Sequence, residues 1–275
     1  ATGLKNGGCA FDIIGFDACL MATLETAIAL EPYADYMLAS EETEPGIGWH
    51  DTGWVTAMAR NTSIPSTELG KTLIDDYVAQ CRAQVPQAQA TLSLIDLAEL
   101  KGTVPTPFAA FAQSTNGLID QNNFKTVSNA RADAKEFSPS SQINQIDLID
   151  FAENLGTPEA KNLAAALRGC IKYNRTSNNI TNSNGVSIYF PHSRFSSVNA
   201  ALAEYSAIGL PAEYGECIRS YASLAAGGQV TSGGSGNMLD SLLGGFLGGA
   251  SGQGSSAGSS GTAGLGELLS SFLGA

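Results

Sequence analysis

The run Phe11-Asp12-Ile13-Ile14-Gly15-Phe16-Asp17 is apolar enough for a buried strand, and within three residues of Cys19 it hands over to a helical pattern. Leu20, Leu24, Ala27 and Ile28 share one face of a helix expected over 20–31, and Asp35-Tyr36-Met37-Leu38-Ala39-Ser40 then reads as a second short strand. A strand, helix, strand unit implies parallel neighbours, so the fold class is α/β, with a mostly parallel sheet flanked by helices.

Further along, the spacing predicts helices at about 54–60 and 66–84, the second opened by Pro65-Ser66-Thr67-Glu68. A strand follows at Leu92–Leu97, then a mostly helical stretch over 105–170 broken by a polar loop near 138–146. Gly185-Val186-Ser187-Ile188-Tyr189-Phe190-Pro191 is a last strand closed by proline, and another helical stretch covers about 196–224. From Ala226 the composition turns to glycine and serine around two similar apolar islands, near 239–248 and 265–274. These changes divide the chain into a main domain over 1–195, a helical C-terminal extension over 196–225 and a flexible tail over 226–275.

With 275 residues, 43% of them hydrophobic, the chain can bury a substantial core. Its formal charge of −12 repels nucleic acid and anionic membrane surfaces and favours a cationic partner or substrate. No apolar run approaches the roughly eighteen residues of a membrane helix. The start ATGLKNGG lacks a signal peptide's layout, and Ala1 with no early methionine suits a product of proteolysis or an excised segment. Five widely spaced cysteines, Cys9, Cys19, Cys81, Cys170 and Cys217, include no CxxC pair. They argue against both a disulfide framework and a zinc site, and no metal ligand set is read.

Among the five, Cys19 stands apart. It falls where a strand's C-terminal end meets the next helix, which is where α/β sheets gather reactive groups, and the N–H groups of a helix start favour a thiolate. Asp17, two residues earlier, would project to the same side in strand geometry, with alpha carbons about 6.6 Å apart. A carboxylate so close to a thiolate makes sense if its charge serves elsewhere, for instance at the bottom of a pocket for a cationic side chain. Two histidines are available as a base, His50 after Pro45-Gly46-Ile47-Gly48-Trp49 and His192 after Tyr189-Phe190-Pro191, and the residues alone choose neither.

These stretches resemble the clostripain-like cysteine peptidases, relatives of the caspases and gingipains. The resemblance rests on Gly15-Phe16-Asp17-Ala18-Cys19-Leu20-Met21, on Asp35 through Trp49, on Leu92–Leu97 and on Gly185–Pro191, and it spans about 1–224. It implies a caspase-like α/β/α sandwich and an endopeptidase that cuts after Arg or Lys with a Cys/His dyad. By that resemblance Cys19 is the nucleophile and Asp17 lines the primary specificity pocket. The loop 41–49 would wall that pocket through Glu42, Ile47 and Trp49, with Glu41 and Glu44 as further acids. The family's dyad histidine precedes the cysteine, and no histidine precedes Cys19 here. The resemblance therefore makes this chain an autoprocessed heavy chain that begins at its processing site, Ala1, and needs its own light chain for the histidine. It also implies a bacterial protein that is secreted or held in the cell envelope. No cofactor is expected; the family admits calcium, which no EF-hand spacing places here. The rival readings are a catalytically inactive module that binds basic peptides, and an acyltransferase or redox thiol with Cys9 as the resolving partner.

Overall fold

The computed structural model describes residues 2–121, 123–191 and 197–226. After a short helix α1 (Thr2–Gly7) come β1 (Phe11–Gly15), α2 (Leu24–Leu30), β2 (Ala34–Ala39), α3 (Asp51–Arg60), α4 (Ser66–Gln84) and β3 (Thr91–Asp96). The chain continues through α5 (Leu97–Thr103), α6 (Pro105–Asp120), α7 (Phe124–Asp133), β4 (Glu136–Phe137), β5 (Gln145–Asp147), α8 (Leu148–Leu155) and α9 (Pro158–Cys170). It ends with β6 (Ile171–Thr176), β7 (Ser187–Tyr189), α10 (Val198–Ile208) and α11 (Ala212–Ala226). No described helix is long and apolar enough to cross a membrane.

The main sheet has the order β1-β2-β3-β6 with helices on both faces, as an α/β/α sandwich requires. Its strands alternate between two cores. Met37 and Ala39 of β2 enter the larger core with residues of α2, α5, α6, α8 and α9, whereas Leu38 joins Leu92 and Leu94 of β3 against Leu73, Ile74, Tyr77, Val78 and Cys81 of α4. Each of those large α4 side chains contributes about 1.5–3 kcal/mol by leaving water. Gly70 lets α4 lie close, since a Cβ there would meet Leu94 at 2.9 Å.

Several expectations change. The sheet is mixed: β1 and β2 are parallel, but β2 with β3 and β3 with β6 are antiparallel. Two helices, α3 and α4, return the chain to the end of β2 that it left, where Thr91 accepts hydrogen bonds from the amides of Glu41 and Glu42 at 3.0 and 3.1 Å. The run 11–17 is not a buried strand. β1 stops at Gly15 and forms the sheet's outer edge, with Ile13 and Ile14 half-buried and Phe11 40% exposed. The strand expected at 185–191 narrows to β7 and joins β5 and β4 in a separate three-stranded sheet, whose other strands arise at either end of the presumed polar loop. β6 was not legible because Ile-Lys-Tyr-Asn-Arg-Thr carries polar residues on a half-exposed strand.

The 196–225 segment is not an appendage. Val198, Ala201 and Tyr205 of α10 and Tyr214, Cys217, Ile218 and Tyr221 of α11 are buried in the same core as α2 and α6. Tyr205 donates to the buried carboxylate of Glu25 on α2 at 2.9 Å, and Glu25 also accepts the Tyr189 amide of β7 at 3.1 Å. Burial pushes the Glu25 carboxyl above its ordinary range, so these donors set its orientation more than its charge. The tail from 227 onward, with both islands, lies outside the described residues, as do Ala1 and His192.

Candidate active site

The segment after β1 is held by the chain it parallels. Phe16 N donates to Leu38 O at 2.9 Å, Leu20 N to Glu42 O at 3.2 Å and Ala22 N to Ser40 O at 2.9 Å. Beyond it, Ser187 of β7 donates its amide to Ala22 O at 2.8 Å and forms a parallel bridge with Thr23. Pinned at both ends, residues 16–22 arch over the C-terminal end of the sheet. The arch needs Leu20 at φ 65°, a left-handed conformation that costs a non-glycine residue about 1–2 kcal/mol. Strain of this kind persists where surrounding hydrogen bonds impose it.

Cys19 sits exposed on this arch, one residue before the strained Leu20. It is not at a helix start. The side chain of Thr23 caps α2 by accepting the Thr26 amide at 3.0 Å, and α2 begins only at Leu24. The donor that reaches the sulfur is instead the backbone amide of Glu44, 3.2 Å from Cys19 Sγ. The thiol in turn faces Glu44 O at 3.9 Å. An N–H aimed at sulfur stabilises the negative charge of a thiolate, the role the helix terminus was expected to fill.

Asp17 meets the same loop. Its Oδ2 accepts the Trp49 amide at 3.3 Å. The turn from Pro45 to Gly48, closed by Gly48 N to Pro45 O at 3.3 Å, brings that amide into place. Gly48 is at φ +68°, and a Cβ there would stand 3.2 Å from Asp17 Oδ2, so both the turn and the close approach require glycine. The Trp49 indole lies on Gly15, where a Cβ would touch its ring at 3.0 Å, and its Nε1 donates to Glu44 Oε1 at 3.4 Å. Ile47 and Trp49 are half-buried against the α4 core. Cys19, Asp17, Glu44, Ile47 and Trp49 are thus gathered by two loops, although Asp17 and Cys19 lie past the strand whose geometry was expected to align them.

Glu42 and Glu41 belong to a different environment. The Glu42 carboxylate is buried, accepts the Thr43 and Ser138 amides at 2.9 and 3.2 Å and pairs with Lys135 at 4.0 Å. Glu41 is buried, accepts the Gly185 amide at 2.9 Å and the Ser183 hydroxyl, and faces Asp147. Burial and the Asp147 carboxylate push its carboxyl well up, so the two carboxyls share a proton. These two glutamates anchor the base of the loop 43–50, and their carboxyls are occupied there. Glu44 alone of the three turns toward Asp17. Burial, and then its hydrogen bond to Asp17, push its carboxyl up to about 9.

His50, the candidate base among the described residues, is not joined to Cys19. His50 is exposed at the N-terminal boundary of α3, and the sulfur's hydrogen bonds go to Glu44 backbone atoms. The remaining cysteines divide as their surroundings dictate: Cys9 is exposed, while Cys81, Cys170 and Cys217 are buried with thiols pushed up by burial. All five are free. No group of three or more His, Cys, Asp or Glu side chains among the described residues could hold a metal ion.

The sequence model of the clostripain family matches residues 2–223. The chain belongs to the clostripain family. Among solved structures, it resembles a B. fragilis cysteine protease with a TM-score of 0.53 and 17% identity, over 76% of this chain and 90% of that one. A clostripain from Bacteroides thetaiotaomicron, solved with the peptide inhibitor BTN-VLTK-AOMK, gives 0.52 and 17% over 75% and 91%. A secreted C11 cysteine protease from the same organism, solved with an irreversible peptide inhibitor, gives 0.51 and 20% over 72% and 59%. No curated protein matches. Membership in this family makes the chain a cysteine peptidase homologue with a caspase-like mixed sheet. One contributor to the site left no local signal in the sequence: Tyr77, an ordinary member of the buried face of α4, whose hydroxyl lies near Glu44 and Asp17.

Proposed function

We propose that the chain supplies the nucleophile and the specificity pocket of an endopeptidase that cleaves after basic residues. The observation that carries this is the convergence of an exposed Cys19 thiol and two carboxyl groups, Asp17 and Glu44, on the same loop. A substrate's Arg or Lys enters beside Asp17, and the preceding backbone lays the scissile carbonyl against Cys19 Sγ. The thiolate attacks, and the developing oxyanion takes the Cys19 amide, which is engaged by no other described group. A histidine protonates the leaving amine, and water releases the acyl group. The inhibitor bound to the Bacteroides thetaiotaomicron relative, whose peptide reads VLTK, supports a basic residue next to the cleaved bond.

The histidine comes from an upstream light chain. The support is β1 itself: an edge strand with one partner among the described residues, an exposed Phe11, and the nucleophile arch directly at its end. An unpaired apolar edge invites another strand, and a strand added there ends beside Cys19. Such a partner suits a secreted or envelope enzyme of the kind one relative is.

Asp17→Asn is the direct test of the pocket. It leaves the Trp49 amide an acceptor but removes the charge that faces the cation. Loss of one partner of such a pair costs a few kcal/mol, so kcat/KM for Arg and Lys peptides is expected to fall about a hundredfold or more. Equal turnover of Ala and Arg substrates by the parent would overturn the reading. Gly48→Ala should act through the same carboxylate, since its Cβ displaces Asp17 Oδ2 and strains the turn at φ +68°. A drop in kcat/KM of about tenfold to a hundredfold is expected, measured beside the thermal midpoint to separate pocket damage from unfolding.

A further inference from the structure

The small sheet β4-β5-β7 turns a polar face inward. Ile146 and Ile188 pair across β5 and β7 and enter the large core, so Gln145, Asp147 and Ser187 alternate onto the other face, and all three are buried there. An antiparallel strand commonly gives its polar face to water. Here that face meets the back of the nucleophile arch. Ser187 gives its amide and its hydroxyl to Ala22 O at 2.8 and 3.1 Å, and Gln145 Nε2 gives a long hydrogen bond to Leu20 O at 3.5 Å. Leu20 directly follows the cysteine. The carbonyl decides which end of the Gln145 amide faces it, since only the NH2 group can donate. Oε1 is left buried without a donor, a cost that an apolar residue of the same shape would avoid. A glutamine kept in such a place is kept for its donor.

The same hairpin reaches the other side of Leu20. The Leu20 amide donates to Glu42 O, and the Glu42 carboxylate is fixed by the Ser138 amide from the connection between β4 and β5. That connection is itself strained. Ser138, Gln142 and Asn144 stand at φ 44°, 52° and 60°, and with Leu20 at 65° they make four of the five non-glycine residues at positive φ among the described residues. Left-handed residues on both sides of one contact mark it as imposed by its surroundings.

We infer that Gln145 is a positioning residue for the nucleophile, holding Leu20 left-handed so that the Cys19 thiol and amide face the scissile carbonyl. The inference rests on Cys19 being the nucleophile, as proposed above. Leu20 is clamped at its N–H by Glu42 O and at its C=O by Gln145. Without the second clamp it can return toward the right-handed region that a residue with a side chain prefers. Downstream, Ala22 is held by Ser40 O and by Ser187, so that side cannot follow. Upstream, no backbone–backbone hydrogen bond holds residues 17–19 among the described residues. The rotation is therefore taken up at Cys19, displacing its thiol together with the amide that receives the oxyanion. A misplacement of about 1 Å costs up to about a hundredfold in rate.

The test uses the processed enzyme made from its full precursor, with every rate expressed per Cys19 labelled by an irreversible peptidyl-Arg electrophile. Gln145→Met keeps the shape and removes the donor. It is expected to lower kcat about tenfold to a hundredfold while KM for a peptidyl-Arg substrate stays within about threefold. A peptidyl-Arg aldehyde, whose adduct with the thiol puts an oxygen where the oxyanion forms, should weaken by a factor similar to the loss in kcat. The thermal midpoint should hold or rise, since a buried acceptor without a donor is removed. In a Leu20→Gly background the left-handed residue carries no steric penalty, so adding Gln145→Met should cost no more than about threefold. The positioning role is overturned by a kcat per labelled Cys19 within about twofold of the parent's, by an equal loss in both backgrounds, or by a thermal midpoint that falls in step with kcat. Should Gln145→Met fail to fold, Gln145→Asn, whose amide stops short of Leu20 O, is read by the same criteria. Failure of both to fold makes Gln145 a structural residue and overturns the inference. Label found on a residue other than Cys19 overturns the nucleophile reading instead.

Discussion

Cys19→Ala is expected to abolish hydrolysis by the processed enzyme, a loss on the order of a millionfold when a covalent nucleophile is removed. The variant should keep its fold, because Cys19 is exposed and, among the described residues, its sulfur hydrogen-bonds only to the Glu44 backbone. Alanine at Cys9, Cys81, Cys170 or Cys217 should leave catalysis intact. Cys9 makes only a local contact with Gly7 O, and the other three are buried away from solvent. Their replacement acts on stability, for instance through packing lost at Cys217 between α11 and the core. Alkylation by iodoacetamide followed by mass mapping checks the same assignment, with Cys19 protected by a peptidyl-Arg electrophile. Near-parental hydrolysis by Cys19→Ala would remove the nucleophile from the mechanism.

The second large effect concerns the missing base. Residues 1–275 expressed alone are expected to hydrolyse basic peptides at least about a thousandfold more slowly than the processed enzyme, since the general acid–base group is lost together with one side of the site. The same material should aggregate, because β1 offers an edge left unpaired among the described residues, with Phe11 exposed and Ile13 and Ile14 only half-covered. Helix α3 exposes two further large apolar side chains, Val55 and Met58, at 42% and 40%. Co-expression of the upstream segment should restore both activity and solubility. His50→Ala and His192→Ala should each leave the restored activity within a few-fold of the parent, His50 because it is exposed and unconnected to Cys19. Full activity of the isolated chain, lost on substitution of either histidine, would overturn the two-chain reading and the base assignment together.

The contrast between Glu42 and Glu44 shows why the site was only partly legible. Both lie in one acidic stretch, and local sequence offers no reason to prefer either. Glu42 is turned inward by Ser138, ninety-six positions away, whereas Glu44 is turned toward Asp17 by the Pro45–Gly48 turn and Trp49. Tyr77 was invisible for a related reason: a tyrosine on the apolar stripe of a helix looks like packing until the sheet brings it under a loop. Cys19 looks from the sequence like part of a helix terminus because helical periodicity starts before the helix does, and Thr23 with its capping hydroxyl marks the true start.

Periodicity and composition are local properties of the chain, and they sufficed for what depends on local conformation: the β1–α2–β2 unit, the long α4, the cysteine set apart at the end of a strand, and an acidic character suited to a cationic ligand. Strand direction, sheet edge and second-sheet membership are set by which distant segments pair. These include β3 against β2, β7 against β5, and α10 and α11 against the core that holds α2. The chemistry of the site belongs to this second kind. A backbone amide on the sulfur, an indole on one carboxyl oxygen and a second carboxyl against Asp17 come from loops joined across the end of the sheet, and burial there pushes the Glu44 carboxyl up.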